Sequence, residues 1–128
     1  MNDAVRRPRL LSAALLALVV VGLAQAAPPA KAQREIEQLI VALGTSGCEF
    51  QRNGRWYPAD EAQAHLRRKY DYLVKRDLVA SAEQFIEGAG TRSSMSGKAY
   101  AVRCPGKSPM SSAAWLGARL SAIRHAAP

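Results

Sequence analysis

Apolar residues recur along this chain with two different periods, and the changes between them mark its elements. From Ala32 to Leu43, the residues Ile36, Leu39, Ile40 and Leu43 fall at helical spacing, and Gly44 supplies a stop. The stretch "CEFQRNGRWY" (48–57) breaks that period. Asn53-Gly54 between two short runs of strand-favouring residues is the strongest local hairpin signal. A two-residue turn there sets Arg52 opposite Arg55, Gln51 opposite Trp56 and Phe50 opposite Tyr57. Cys48 then shares the core-facing side with Phe50 and Tyr57. Pro58 suits a first helical turn, and Asp60 and Glu61 complement its positive end. The helix runs to about Val74 with Ala62, Leu66, Tyr70 and Leu73 as its buried stripe.

Asp77 to Ala80 read as a connector. Ser81 with Gln84 three residues on forms a capping box, opening a short helix that buries Phe85 and Ile86 and stops at Gly88 or Gly90. "TRSSMSGK" (91–98) is a polar loop. In "AYAVRC" (99–104), Tyr100 and Val102 alternate with smaller or polar neighbours, so it reads as a third strand ended by Pro105-Gly106. A last helix, about Ser112 to His125, buries Trp115, Leu116, Leu120 and Ile123. The order α-β-β-α-α-β-α predicts an α+β fold. A small three-stranded antiparallel sheet, the hairpin plus one later strand, packs against about four helices.

The first 26 residues follow another pattern. Arg6, Arg7 and Arg9 precede a charge-free apolar run from Leu10 to Leu23, and Ala24-Gln25-Ala26 follows as a small-x-small site. These are the three parts of a secretory signal peptide. The run is shorter than the roughly 18–20 residues that span a bilayer, which weighs against the alternative of an uncleaved anchor. Residues 1–26 are therefore expected to be a signal peptide and 27–128 a single small exported domain, periplasmic or secreted, with no stable membrane span after cleavage.

Charge adds a partner class. Beyond residue 26 stand fifteen basic against nine acidic residues, a net +6. Such a surface favours polyanions, which outside the cytoplasm are lipid head groups, cell-wall polymers or acidic proteins. Export argues against nucleic acid. The basic residues are spread along the sequence, as an ordinary solvated surface also requires. The two cysteines, Cys48 and Cys104, are an even count in an exported chain and are expected to pair, closing a loop worth roughly 4 kcal/mol on chain-entropy grounds. Two buried free thiols are the alternative. No His or Cys lies at ligand spacing from either, so neither a metal nor another cofactor is expected.

Four segments together carry a resemblance: "CEFQRNG", "AQAHLRRKYDYL", "SAEQFIEGAGTRSSMSGKAY" and the helix of Trp115. Their R-N-G turn (52–54), A-x-x-H-L-x-x-K helix (62–69), A-E-x-F-I segment (82–86) and S-S-x-S-G-x-x-Y loop (93–100) resemble the YfeK-like family of small exported bacterial proteins. The resemblance covers nearly all of the chain after residue 26. It implies export and a shared fold but no activity, since that family is a domain of unknown function.

Several polar residues remain to be explained. Arg52 facing Arg55 is repulsive unless an anion or carboxylate lies between them. At 100° per residue, Lys69 falls at the edge of the buried stripe between Ala62 and His65, with His65 one turn earlier. Lys69 either snorkels its ammonium to the rim or meets an acceptor. Ser93, Ser94, Ser96 and Gly97 form a loop rich in donors that can cradle an anion, or an ordinary connector. Lys98 and Arg103 continue the basic theme, and Arg119 is placed to stack on Trp115.

The leading expectation is a non-enzymatic module binding an anionic envelope component or acidic protein through Arg52, Asn53, His65, Lys69, Ser94, Ser96 and Lys98. The alternative is a small hydrolase with Ser94 or Ser96 as nucleophile and His65 as base. It lacks a G-x-S-x-G elbow and an evident orienting carboxylate. A third reading has the R-N-G turn, His65 and the serine loop bonding to one another simply to hold the fold.

Overall fold

The computed structural model describes Val5, residues 12–20 and residues 27–128. The basic start and the small-x-small site expected of a signal peptide lie outside the described residues, and residues 12–20 carry no helix or strand. Among the described residues, no helix is long and apolar enough to cross a membrane.

The elements in order are α1 (Ala30–Gly44), β1 (Glu49–Arg52), β2 (Arg55–Pro58), α2 (Ala59–Lys75), α3 (Ala82–Phe85), β3 (Ala101–Arg103), β4 (Met110–Ser111) and α4 (Ser112–Ala126). A π-helical turn, Ile86–Gly90, continues α3. The fold is α+β as expected, but its antiparallel sheet has four strands in the order β2-β1-β3-β4. The fourth strand is two residues long, too short to show alternation in the sequence. The turn after β3 folds Met110 and Ser111 back onto Val102 and Ala101.

The hairpin has the expected register, with Arg52 on Arg55, Gln51 on Trp56 and Phe50 on Tyr57. Asn53 and Gly54 both adopt positive φ, 49° and 80°, as the tight hairpin turn that suits twisted strands requires. Alternation then separates two faces. Cys48, Phe50, Tyr100 and Val102 are buried on the helix side. Glu49, Gln51, Trp56 and Arg103 lie on the other, where Arg103 pairs with Glu49 at 2.9 Å and stacks 4.1 Å over Trp56.

Helix α2 packs over β1 and β2, α4 over β3 and β4, and α1 packs against both helices. The α1 and α2 stripes are buried as their spacing requires, Ile36, Leu39, Ile40, Leu43 and Leu66 completely. Gly90 is buried where a Cβ would collide with Leu116, so the π-turn and α4 approach closely. Among the described residues, Arg124 holds the buried Glu35 at 2.7 Å and also reaches Glu83, tying α1, α3 and α4 together.

Some local expectations need correction. Pro58 ends β2 and caps α2 from outside the helix, since its extended backbone completes the ladder opposite Glu49. Ser81 caps α3 by accepting from the Gln84 amide, but the Gln84 side chain accepts from the Ala80 N–H, so half of the capping box is displaced by one residue. Trp115, Ile123 and Ile86 are only partly buried, at the margin of the core. Arg119 does lie against Trp115, 5.5 Å from its ring centroid.

The sulfurs of Cys48 and Cys104 lie 2.05 Å apart, joining the lead-in of β1 to the end of β3. Reduction is expected to raise the intact mass by about two protons, and Cys48→Ser with Cys104→Ser to cost about 3–4 kcal/mol in denaturant unfolding. Ser112 is wholly buried, and its hydroxyl has no partner among the described residues. Ser112→Ala is expected to raise stability by about 1 kcal/mol in the same experiment.

Candidate functional site

Arg52 follows Phe50 by two residues, so it shares the core-facing side but sits at the tip end of the hairpin. There it meets α2. His65 flanks Leu66 on that helix, and Lys69 and Tyr72 follow along the same side at helical spacing. Tyr100 comes from the other direction, just ahead of β3. Its ring lies in the core, 4.8 Å from the Phe50 centroid and edge-on to His65 at 5.8 Å. A buried phenol needs a partner for its hydroxyl, and α2 provides two.

The hydrogen bonds have a fixed direction. Arg52 Nη1 lies 2.6 Å from His65 Nδ1. A guanidinium only donates, so Nδ1 accepts and the ring proton resides on Nε2. Nε2–H then donates to the Tyr100 hydroxyl oxygen at 3.1 Å. Lys69 donates to the same oxygen at 3.2 Å and to the Arg92 carbonyl at 3.0 Å. Burial, reinforced by Arg52, Lys69 and Arg68, pushes the His65 pKa down to about 4 and keeps the ring neutral near pH 7. Burial, then Arg52, lowers Lys69 from its ordinary value, and burial raises Tyr100.

The serine loop closes over this cluster. Ser93 is buried, and its Oγ accepts from the amides of Met95 at 3.3 Å and Ser96 at 3.2 Å. Ser96 donates to the Asn53 side-chain oxygen at 2.6 Å, tying the loop to the hairpin tip. Between loop and helix lies a cavity of about 480 Å³ lined by Arg52, His65, Arg68, Lys69, Tyr72, Ser93, Ser94, Met95 and Tyr100. Arg52, His65 and Arg68 also line a smaller cavity of about 260 Å³ that includes Tyr57 and Glu61.

The larger cavity is chemically one-sided. Arg52, Arg68 and Lys69 can only donate. Both lone pairs of Tyr100 face donors, from His65 and Lys69, and both of Ser93 face backbone amides. The protons of these two buried hydroxyls have no acceptor among the described residues. Among the described residues, Arg52, Arg68 and Lys69 have no carboxylate within ion-pair distance. No carboxylate lines the cavity. The facing arginines are accommodated without one: both guanidiniums lie over the Tyr57 ring, at 4.9 and 5.6 Å, and Arg52 turns to His65.

Of the residues expected from the sequence, Arg52, His65, Lys69 and Ser94 line this cavity. Asn53 and Ser96 bind each other at its margin, and Lys98 is exposed and outside the lining. Sequence reasoning read Tyr100 as an alternating residue of the third strand and not as a site residue. The demand of a buried phenol for partners was the available signal. Arg68, Tyr72 and Met95 were also passed over. The spacing of Arg68 and Tyr72 from His65 and Lys69 could have found the first two. The chain offers no such signal for Met95.

These features define a small α+β domain with a cation-walled, donor-rich cavity between a helix and a serine loop. The chain belongs to a family of unknown function, DUF5329, whose model matches residues 30–124. No curated protein and no solved structure matches the chain.

His65 gives the fold a pH dependence. Its folded pKa of about 4 lies below its ordinary value of 6.5, so the unfolded chain binds the proton more readily. The stability contributed by neutral His65 is complete above pH 6.5 and falls as pH drops toward 4. The depressed Glu35 and Glu83 lose their contributions only below their ordinary 4.5. Denaturant unfolding at about pH 7 and about pH 5 should differ by about 1–2 kcal/mol, after allowing for solvent screening of a half-buried ring. His65→Gln should flatten that difference.

Proposed function

We propose that the protein is a non-enzymatic exported domain, periplasmic or secreted. In this reading it binds an anionic group of an envelope component or acidic protein in the cavity beside Tyr100. The observation that carries the reading is the cationic wall without a carboxylate. Arg52, Arg68 and Lys69 line space that no carboxylate lines, and the protons of two buried hydroxyls there have no acceptor among the described residues. Acceptor-rich ligands, phosphates and carboxylates above all, complement such a wall. The likeness of the R-N-G turn and the serine loop to the YfeK-like family, together with the leader pattern of residues 1–26, supports export and a bacterial origin.

Hydrolysis by a serine–histidine pair has less support. Ser96 gives its proton to Asn53, and both His65 nitrogens are engaged, by Arg52 and Tyr100. Ser94 lines the cavity with no hydrogen bond to His65. The fold-holding reading draws on the Arg52–His65 and Asn53–Ser96 bonds and makes a separate prediction. Under it, substitutions would lower the melting temperature and nothing else.

Titration calorimetry with inorganic phosphate at low and moderate salt tests the binding reading. Arg52→Ala and Lys69→Ala should each weaken binding about tenfold or more, the loss of one charge-assisted hydrogen bond of about 1.5–3 kcal/mol. Affinity should also fall with salt. Folded variants that bind as the wild type does would refute the proposal.

A further inference from the structure

The mouth of the same cavity differs in character from its wall. Met95 is 97% exposed at the tip of the serine loop, and Tyr72 is 53% exposed on α2. Both line the cavity. Single exposed apolar side chains are ordinary on a protein surface. Here two of them border one opening, above a cationic wall that no carboxylate lines. The two sides of the mouth have different origins. Tyr72 follows Lys69 by three residues and Arg68 by four, so α2 itself grades from cation to aromatic ring along one side. Arg76 covers one face of that ring at 4.2 Å. Met95 is held in place from below, because its amide donates to the buried Ser93 hydroxyl oxygen. A thioether side chain on a fixed backbone adapts to varied apolar shapes.

A small inorganic anion would use the donors and leave the apolar mouth idle. The cavity, about 480 Å³, falls within the range of small-molecule sites, roughly 300–1,000 Å³, and holds more than one such ion. Resting on the anion-binding reading, the geometry points to an anionic amphiphile as the ligand class. A phosphate or carboxylate head meets Arg52, Lys69, Tyr100 and Ser93, and a short chain or ring attached to it lies against Tyr72 and Met95. Such chemistry belongs both to soluble acyl or aromatic acids and to membrane lipids.

Calorimetric titration of the protein with inorganic phosphate, octyl phosphate and octanoate at one ionic strength tests this. Cosedimentation with phosphatidylglycerol vesicles against phosphatidylcholine vesicles separates a bilayer source from a soluble one. Octyl phosphate should bind at least about tenfold more tightly than phosphate, the effect of burying about two methylenes at the rim. Met95→Ser and Tyr72→Ser should collapse that ratio toward one, and Arg52→Ala should weaken both phosphates together. Equal affinity for phosphate and octyl phosphate overturns the inference and leaves the anion reading standing. A high ratio that survives both rim substitutions overturns it as well. Absence of binding by every anion defeats the anion reading itself.

Discussion

Tyr100 places an aromatic ring in the core and leaves its hydroxyl to be satisfied by side chains from another element. The ring is 2% exposed and packs on Phe50. An unpartnered buried hydroxyl costs about 1–3 kcal/mol, so the position of α2 against the sheet is constrained by where His65 and Lys69 can reach. Those two contacts set further conditions. His65 must donate from Nε2, which leaves Nδ1 to accept, and the acceptor is filled by Arg52. One phenol thus connects strand, helix and hairpin tip, and its bonds lie along the wall of the cavity.

The polar cluster holds the fold together and also creates an imbalance. The Tyr100 and Ser93 hydroxyl oxygens each accept from two donors. Cations gather around a neutral imidazole, and the hydroxyl protons of Tyr100 and Ser93 are left over. In a purely structural network, a carboxylate placed among these groups would relieve both features. Such carboxylates occur elsewhere in the protein: Glu35 beneath Arg124, Glu37 beside Arg67 and Glu49 beside Arg103. Their absence from the cavity wall is the physical basis for reading it as a place for an outside anion. The family match carries no activity, so the proposal rests on this chemistry.

Much of the architecture could be read along the chain because its determinants are local. The stripe of Ile36, Leu39, Ile40 and Leu43 defines α1 whatever it packs against, and Asn53-Gly54 sets the hairpin register through backbone conformations those residues tolerate. Even the edge position of Lys69 followed from helical geometry. The fourth strand did not. Met110 and Ser111 are strand only because β3 lies alongside them, and two residues carry no period. The partial exposure of Trp115 reflects where the core ends, which depends on the packing of α4 against its neighbours.

The candidate site divides in the same way. Residue type and spacing marked Arg52, His65 and Lys69 as a basic group near a core edge, and they pointed to a donor-rich serine loop. Nothing in the spacing of residues 52, 65, 69 and 100 states that one hydroxyl joins them, because these contacts cross up to 35 positions of sequence. Chain folding brings α2, the hairpin tip and the serine loop to one cavity, leaves Lys98 outside it and admits Arg68, Tyr72 and Met95. Local backbone preference and apolar periodicity act over a few residues and therefore survive in a linear reading. Hydrogen-bond direction, burial and the balance of donors against acceptors depend on distances between remote segments, which exist only once the chain has packed.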